Sequence, residues 1–380
     1  MKVLYVSQYF PPEVGAGAVR AEVMVRHLTR LGIEVDVLCE APNYPTGKLQ
    51  PGYGNRWSQT ESGDGYSVTR LWVMVNQRRN VMEQLAFFFS FMVSSFLHMV
   101  SGNKRYDVIF ATSPPLFASI SACLYSKMTG AKFVLEIRDL WPDSAIQANS
   151  FTSDSWFIRL GHLLERWLYR SADRIVAVTP ESERIIQDKA GHDRTVVVHN
   201  GVDTGLFRKI EPSELAAETH KPEGIFRVGY VGSLGLIHDM RTLILAARLC
   251  EEDPQIEFVI VGDGGQKDQM LGLLDEIEPR NVRWLGMKGH DRIPHYISSF
   301  DVAVNPINDS EAFRSIITVK FYEYLACEVP VISLAEGAQR RISEQSGAGV
   351  ACPIGDPVAL ADAIKALKAD PERRAALAAS

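Results

Sequence analysis

The chain has 380 residues, too many for one ordinary domain and enough for two with separate cores. Hydrophobic residues make up 46% and charged residues 23%, the balance of a soluble globular enzyme. The formal net charge of −6 argues against nucleic acid as a partner, and five scattered cysteines without a CxxC pair argue against a disulfide framework or a zinc site. A reducing, cytoplasmic compartment fits this cysteine usage.

The N-terminus, MKVLYVSQYFPPEVGAG, reads as a first strand over Lys2–Ser7 and not as a signal peptide. Ala18–Leu31 has helical periodicity and stops at Gly32, and Ile33–Cys39 is the next strand. Val81–Val100 is nearly all apolar and as a helix would be roughly 30 Å long, close to a bilayer's hydrocarbon thickness. Arg78 and Arg79 precede it, Lys104 and Arg105 follow it, and Ser90, Ser94 and His98 form a narrow polar stripe. Three readings stay open for it: a core helix, a membrane-surface helix on a peripheral enzyme, and a true span. Strands follow at Asp107–Thr112, Lys132–Ile137, Arg174–Val178 and Thr195–Val198, with helical segments between them. This alternation predicts a parallel sheet covered on both faces.

The first domain is expected over residues 1–205. Residues 206–224, polar and proline-containing, read as an interdomain connection. Alternation restarts at Phe226–Val231 and runs through Glu257–Val261, Val282–Leu285, Val302–Asn305, Val329–Ser333 and Gly349–Ala351, giving a second domain over 225–380. The expected fold is α/β, with two doubly wound domains facing across a cleft and ligands beyond the carboxyl ends of the strands.

Several loops fall at those strand ends. Tyr9–Arg20 opens a helix, and its Gly15 and Gly17 let backbone approach a ligand closely; its spacing does not match a dinucleotide fingerprint. Arg138 and Asp139, in LEIRDLWPDS, fall near the cleft mouth, as a functional pair or as a structural ion pair. Trp141 and Pro142 read as packing residues; Asn200-Gly201 in HNGVD, 199–203, is a turn signal, and its place at the domain junction gives it more than a turn's role or a largely structural one. Gly232, in FRVGYVGSLGL, and Gly264, in VGDGG, offer backbone N–H groups to a diphosphate. In SIITVKFYEYLACEVPVI, Ser315–Ile332, Lys320 and Glu323 share one helix face; the cation suits a phosphate and the carboxylate a ribose hydroxyl. No Asp-x-Asp pair occurs, which favours charge neutralisation by Lys, Arg and helix dipoles and a metal-independent, cofactor-free reaction.

Taken in order, PPEVGAG, the strand ending in Arg138-Asp139, HNGVD, YVGSLG, VGDGG and SIITVKFYEYLACEVPVI resemble the family-four retaining glycosyltransferases of the GT-B fold over nearly the whole chain. The RDLWPDS segment and Thr318-Val319-Lys320 are similar to a subgroup building O-antigens and other bacterial surface polysaccharides, including fucosamine transferase-like members. The resemblance implies two Rossmann-like domains and transfer of a sugar from a nucleotide diphosphate donor with UDP as its nucleotide. The apolar segment 81–100 and its flanking basic pairs point to a polyprenyl-diphosphate-linked saccharide acceptor at the inner face of the cell membrane, with 81–105 as the membrane contact.

The resemblance also implies roles. Glu323 takes the position of the second glutamate of the family's Glu-x7-Glu motif and would grip the ribose, while Ser315 stands where the first would bind the donor sugar. Ser233 and His238 stand where the family often has diphosphate-binding Arg and Lys, which leaves Lys320, with Arg314 second, as the cation for the phosphates. The donor-binding set is therefore Gly232, Ser233, Gly264, Arg314, Ser315, Lys320 and Glu323. Gly15, Gly17 and Arg138 fall on the acceptor side. Lys320, Glu323, Arg138 and Asp139 carry the expected catalytic roles, with Arg138-Asp139 where the family often has His-Asp. Helices that in the family cross back onto the first domain are expected to be shortened or missing, because the chain stops at Ser380. A nucleotide-sugar 2-epimerase of the same fold and a catalytically silent partner subunit are the rival readings.

Overall fold

The computed structural model describes residues 1–13, 15–44, 46–76, 81–143 and 156–380. Arg78, Arg79 and Ser144, singled out above, lie outside the described residues. The chain divides into two compact units, Met1–His199 and Asn200–Ser380.

In the first unit, the strands are β1 (Lys2–Val6), β2 (Glu34–Glu40), β3 (Ser58–Ser62), β4 (Ser67–Leu71), β5 (Val108–Ser113), β6 (Lys132–Ile137), β7 (Arg174–Ala177) and β8 (Thr195–Val197). They form one eight-stranded sheet in the order β3-β4-β2-β1-β5-β6-β7-β8. Only β3 runs antiparallel to its neighbour; the other pairs are parallel. The order reverses direction between β1 and β5, and that crevice is where an open parallel sheet accepts ligands. Among the described residues the helices are α1 (Ala16–Arg30), α2 (Val81–Ser101), α3 (Leu116–Thr129), α4 (Trp156–Ser171) and α5 (Pro180–Ala190). The core beneath α2 to α4 holds Phe87 and Phe91 of α2, Leu116 and Tyr125 of α3, and Leu168 and Tyr169 of α4 against Leu4, Ile109 and Leu135 of the sheet. Trp141 packs against this core, where a Cβ at Gly161 would come within 2.9 Å of its ring.

α2 is long and apolar enough to cross a membrane by length and composition. It nevertheless joins β4 to β5, two strands of one sheet, and returns the chain along that sheet as a crossover helix does. The polar stripe faces inward. Ser90 and Ser94 are buried and donate to the Phe87 and Phe91 carbonyls, at 2.7 and 3.2 Å, and Ser95 bonds Ser121 of α3 at 2.8 Å. Phe89, Val93, Leu97 and Val100 face outward and are exposed.

In the second unit, β9 (Phe226–Val231), β10 (Ile256–Val261), β11 (Val282–Trp284), β12 (Val302–Pro306), β13 (Val331–Leu334) and β14 (Gly349–Cys352) form an all-parallel sheet in the order β11-β10-β9-β12-β13-β14. Its helices are α6 (Met240–Leu249), α7 (Lys267–Ile277), α8 (Ile293–Ser298), α9 (Val319–Ala326), α10 (Ala338–Ser346), α11 (Pro357–Ala369) and α12 (Pro371–Ala379). Here the order reverses between β9 and β12. Residues 206–224, read above as a connection, are fastened to this unit. Phe207 is buried in its core, and the buried Arg227 guanidinium donates to the Thr219 and His220 carbonyls at 2.6 and 3.2 Å.

Candidate active site

The donor-side residues gather at the β9/β12 crevice. β9 is buried along its whole length and ends at Gly232, whose φ of 138° lies in a region L side chains rarely adopt. The Gly232 N–H donates to Val261 O at 2.9 Å, the Leu234 N–H to Asp263 O at 3.0 Å, and the Gln266 N–H to Leu234 O at 2.8 Å. The loops after β9 and β10 are thus laced together by backbone. The lacing leaves no room for side chains: a Cβ on Gly262 would sit 1.9 Å from Gly232 O, and one on Gly264 2.5 Å from Leu234 O. The Gly264 N–H is already bonded to Asp263 Oδ1 at 2.7 Å, so its part here is close packing. Ser233 is exposed beside Gly232.

α9 brings Lys320 and Glu323 to the same place. It is pinned at two points. Tyr324 is fully buried, accepts from the Val231 N–H at 2.8 Å and donates to Val231 O at 3.1 Å. At its start, Thr318 Oγ1 accepts from Asn305 Nδ2 at 2.7 Å, and the Thr318 N–H reaches Gln339 Oε1 at 3.3 Å. The helix start is thereby tied to the ends of β9, β12 and α10.

Lys320 is only 8% exposed. Its Nζ donates to Tyr230 Oη at 2.7 Å, lies 3.0 Å from His238 Nε2, and sits 4.1 Å from the Tyr230 ring centre. A Cβ at Gly232 would come within 2.6 Å of that nitrogen. Tyr230 in turn donates to Ser233 O at 2.7 Å. No carboxylate lies within ion-pair distance of Lys320 among the described residues. Burial therefore dominates: it pulls the Lys320 ammonium down to about 7, with the Glu323 charge opposing. Burial likewise pushes the half-buried Glu323 carboxyl up to about 7, with Lys320 opposing. His238 is held well below the usual histidine range, first by burial and then by Lys320, so its Nε2 is available as an acceptor. The site is a cation kept partly discharged among neutral groups, and an arriving phosphate would recharge it.

The other donor-side residues are less gathered. Ser315 is buried at the end of a short helical turn, Glu311–Ser315. The Arg314 guanidinium, expected as a second cation, is turned to Asp309 at 3.4 Å and is about half exposed. Tyr230 and Tyr324 were not singled out from the sequence. Their hydroxyls sit in or beside an apolar strand end and carry no motif; the one signal was a tyrosine inside FRVGYVG, whose polar tip needs a partner when buried. His238, noted only as a departure from the family, turns out to be a direct partner of Lys320.

In the first unit, the structure brings Gly17 and Arg138 together at the β1/β5 reversal. A Cβ on Gly17 would lie 2.6 Å from Arg138 Nη1. Arg138 Nη2 donates to Pro114 O at 2.5 Å, while Nε and Nη1 are buried without a hydrogen-bond partner among the described residues. Burial raises the Asp139 carboxyl, with the Arg138 charge opposing. Gly15 lies against the Tyr44 ring, with its Cβ direction 3.6 Å from Cε1. Arg20 donates to Glu136 Oε1 at 3.0 Å and to the Val198 and His199 carbonyls, each at 3.0 Å, fastening the start of the HNGVD segment by its backbone. Among the described residues, no group of three or more His, Cys, Asp or Glu side chains is placed to hold a metal.

Residues 15–201 match the family model described as a glycosyl transferase 4-like domain, and residues 225–370 match that of the glycosyl transferases group 1. The chain is 26% identical to a Pseudomonas aeruginosa protein bearing the glycosyltransferase name WbjE, over 75% of this chain and 72% of that one. It is 24% identical to Escherichia coli K12 WcaI, which bears the name of a colanic acid biosynthesis glycosyl transferase, over 79% of this chain and 75% of that one. Its fold matches Anabaena HepE, solved in complex with UDP-glucose, with a TM-score of 0.70 at 18% identity, covering 100% of this chain and 92% of that one.

Proposed function

Because this chain belongs to the family-four glycosyltransferases, its two halves matching that family's two domain models in order, we propose that it moves a sugar from a UDP-linked donor to a lipid-linked saccharide. The GT-B fold, with its paired Rossmann-like domains, supplies the frame. The observation that carries the reading is Lys320, buried over Gly232 at the sheet's switch point and bonded only to neutral groups. A diphosphate leaving group gains negative charge as the glycosidic bond breaks, and a preorganised cation there is stronger in the transition state than in the ground state. Glu323, one helical turn on, is assigned to the ribose hydroxyls. Gly15, Gly17, Arg138 and Asp139 are assigned to the acceptor side. Arg138 suits this role through its two unpartnered N–H-bearing nitrogens.

Transfer with retention follows from this reading. The acceptor hydroxyl attacks the anomeric carbon on the face from which the phosphate departs, and the departing phosphate oxygen takes the hydroxyl's proton. The charge on the diphosphate is met by Lys320, without a metal. The relatives WbjE and WcaI support bacterial surface-polysaccharide synthesis as the setting, with fucosamine-type sugars among the donors to be tried. A polyprenyl-diphosphate carrier and a peripheral position on the inner face of the membrane fit the exposed apolar side of α2.

The test is a panel of UDP-sugars, incubated with and without lipid-linked acceptor, with UDP release as the readout. A transferase releases UDP when the matching acceptor is added and consumes it. Release of a free epimerised sugar without acceptor would make the chain an epimerase instead. Absence of release from every donor, alongside failure of UDP to raise the melting temperature, would leave it a silent partner.

A further inference from the structure

At the start of α9 runs a chain of uncharged side chains to which the reading above gives no role in the reaction. Asn305, near the end of β12, is fully buried, and Gln339, in the first turn of α10, is 1% exposed. Between them stands Thr318, two residues ahead of Lys320. Asn305 Nδ2 donates to Thr318 Oγ1 at 2.7 Å, and the Thr318 hydroxyl and N–H both donate to Gln339 Oε1, at 3.2 and 3.3 Å. We propose that Gln339 is a positioning residue for sugar transfer: by accepting both Thr318 groups it fixes the entry to α9, and with it the place of Lys320 over Gly232. The inference rests on the transferase reading above and adds to it a residue that acts through Thr318.

Thr318 sets the polarity of this chain. A backbone N–H only donates, so the Gln339 atom that faces it is the amide oxygen. The hydroxyl gives its one proton to the same oxygen and offers a lone pair to the Asn305 amide. That leaves Gln339 Nε2 and Asn305 Oδ1 buried without a partner among the described residues. Ser333, which pairs with Asn305 across β12 and β13, has its Oγ in the same state. Apolar side chains in this space would avoid those unpartnered atoms, but they would leave Thr318 with nothing to donate to. The start of α10 also meets the other end of the segment that leads into α9. Gly337 has a φ of 68°, and a Cβ on it would come within 2.0 Å of the Arg314 carbonyl oxygen. Residues 314–318, Ser315 among them, are therefore held at both ends by the start of α10. Lys320 depends on such support because its own partners, Tyr230 and His238, are neutral, and no ion pair anchors it among the described residues.

Calorimetry of UDP binding across pH, together with turnover of the UDP-sugar chosen by the panel above, tests this on the full chain. Gln339→Leu cannot accept from Thr318, whereas the carboxylate oxygen of Gln339→Glu can. Gln339→Leu lowers kcat by about tenfold, within the loss of up to about a hundredfold that a displaced group brings. It also moves upward the pH at which UDP binding weakens, about 7 in wild type, because an amine released from burial returns towards its ordinary range. The titratable groups that face Lys320 are Tyr230 of β9, His238 of the loop after it and Glu323 of α9 itself, and the variants alter none of them. Gln339→Glu returns both readings to near the wild-type values. Thr318→Val and Thr318→Ser repeat the comparison from the other side of the bond and carry the test if Gln339→Leu does not fold. Thr318→Val moves both readings in the same direction by a smaller amount, and Thr318→Ser leaves them in place. Wild-type kcat and pH dependence in Gln339→Leu and Thr318→Val would overturn the proposal and leave the transferase reading standing. So would a lowered melting temperature with the pH dependence unmoved. A wild-type chain that neither binds UDP nor releases it would overturn both.

Discussion

At the scale of single residues, the decisive feature is that Lys320 is buried without an ion-pair partner among the described residues. Loss of one such charge donor typically costs roughly 2.7–4 kcal/mol of barrier. Lys320→Ala should accordingly lose on the order of a hundredfold in turnover. The pH dependence follows from the same burial. Lys320 holds its proton to about 7 in the folded chain, against about 10.5 in the unfolded one, so the unfolded state binds more protons between those values and stability rises with pH across that window. Glu323 titrates near 7 when folded and near 4.5 when unfolded, so its contribution falls as pH rises from 4.5 to 7. Stability should therefore pass through a minimum near neutrality. Thermal melts of Lys320→Met should be raised at pH 7 and should lose the rise above it. UDP binding, which recharges Lys320, should weaken by up to about tenfold per pH unit above 7, and calorimetry in buffers of different ionisation enthalpy should find proton uptake. Gly232→Ala should combine backbone strain with displacement of Lys320, lowering turnover and UDP affinity together. Gly17→Ala should instead displace the flexible end of Arg138 and raise the acceptor KM while leaving UDP affinity unchanged, which titration of each substrate would show.

At the scale of elements, the sequence was most legible where strands are buried on both faces. Continuous apolar runs such as VIFATS and FRVGYV have few alternatives, and the β5 and β9 strands lie within one residue of where those runs place them. The hairpin of β3 and β4 escaped because SQTES is an exposed polar edge strand with no apolar alternation, although Asp64-Gly65 in its turn was a readable signal. Lys320 and Glu323 were legible as neighbours on α9 because helical spacing is local. Their environment was not, because Tyr230 and His238 come from 90 and 82 residues away and only the sheet order brings them in. For the same reason the contact of Arg314 with Asp309 was not legible: it depends on the path of a short turn. α2 shows the limit of composition. Its length suits a bilayer, while its inward serines and its place between two strands of one sheet make it a crossover helix with an apolar outer face. Ser95→Leu should therefore destabilise the first unit, because it overfills the α2–α3 contact and removes the hydroxyl that meets Ser121 Oγ; a fall in the melting temperature would show it.

At the scale of the whole molecule, two doubly wound units each place their glycine loops at a point where strand order reverses, and each gathers there a basic residue with an incomplete set of partners. Under the proposed function, one of these basic groups serves the diphosphate and the other the acceptor. The central claim is that Lys320 stabilises the departing diphosphate, and single-turnover sugar transfer by wild type and Lys320→Ala at saturating donor and acceptor tests it most directly. The rate should be lower by on the order of a hundredfold in the variant, with its fold and melting cooperativity intact. A rate near that of wild type would contradict it.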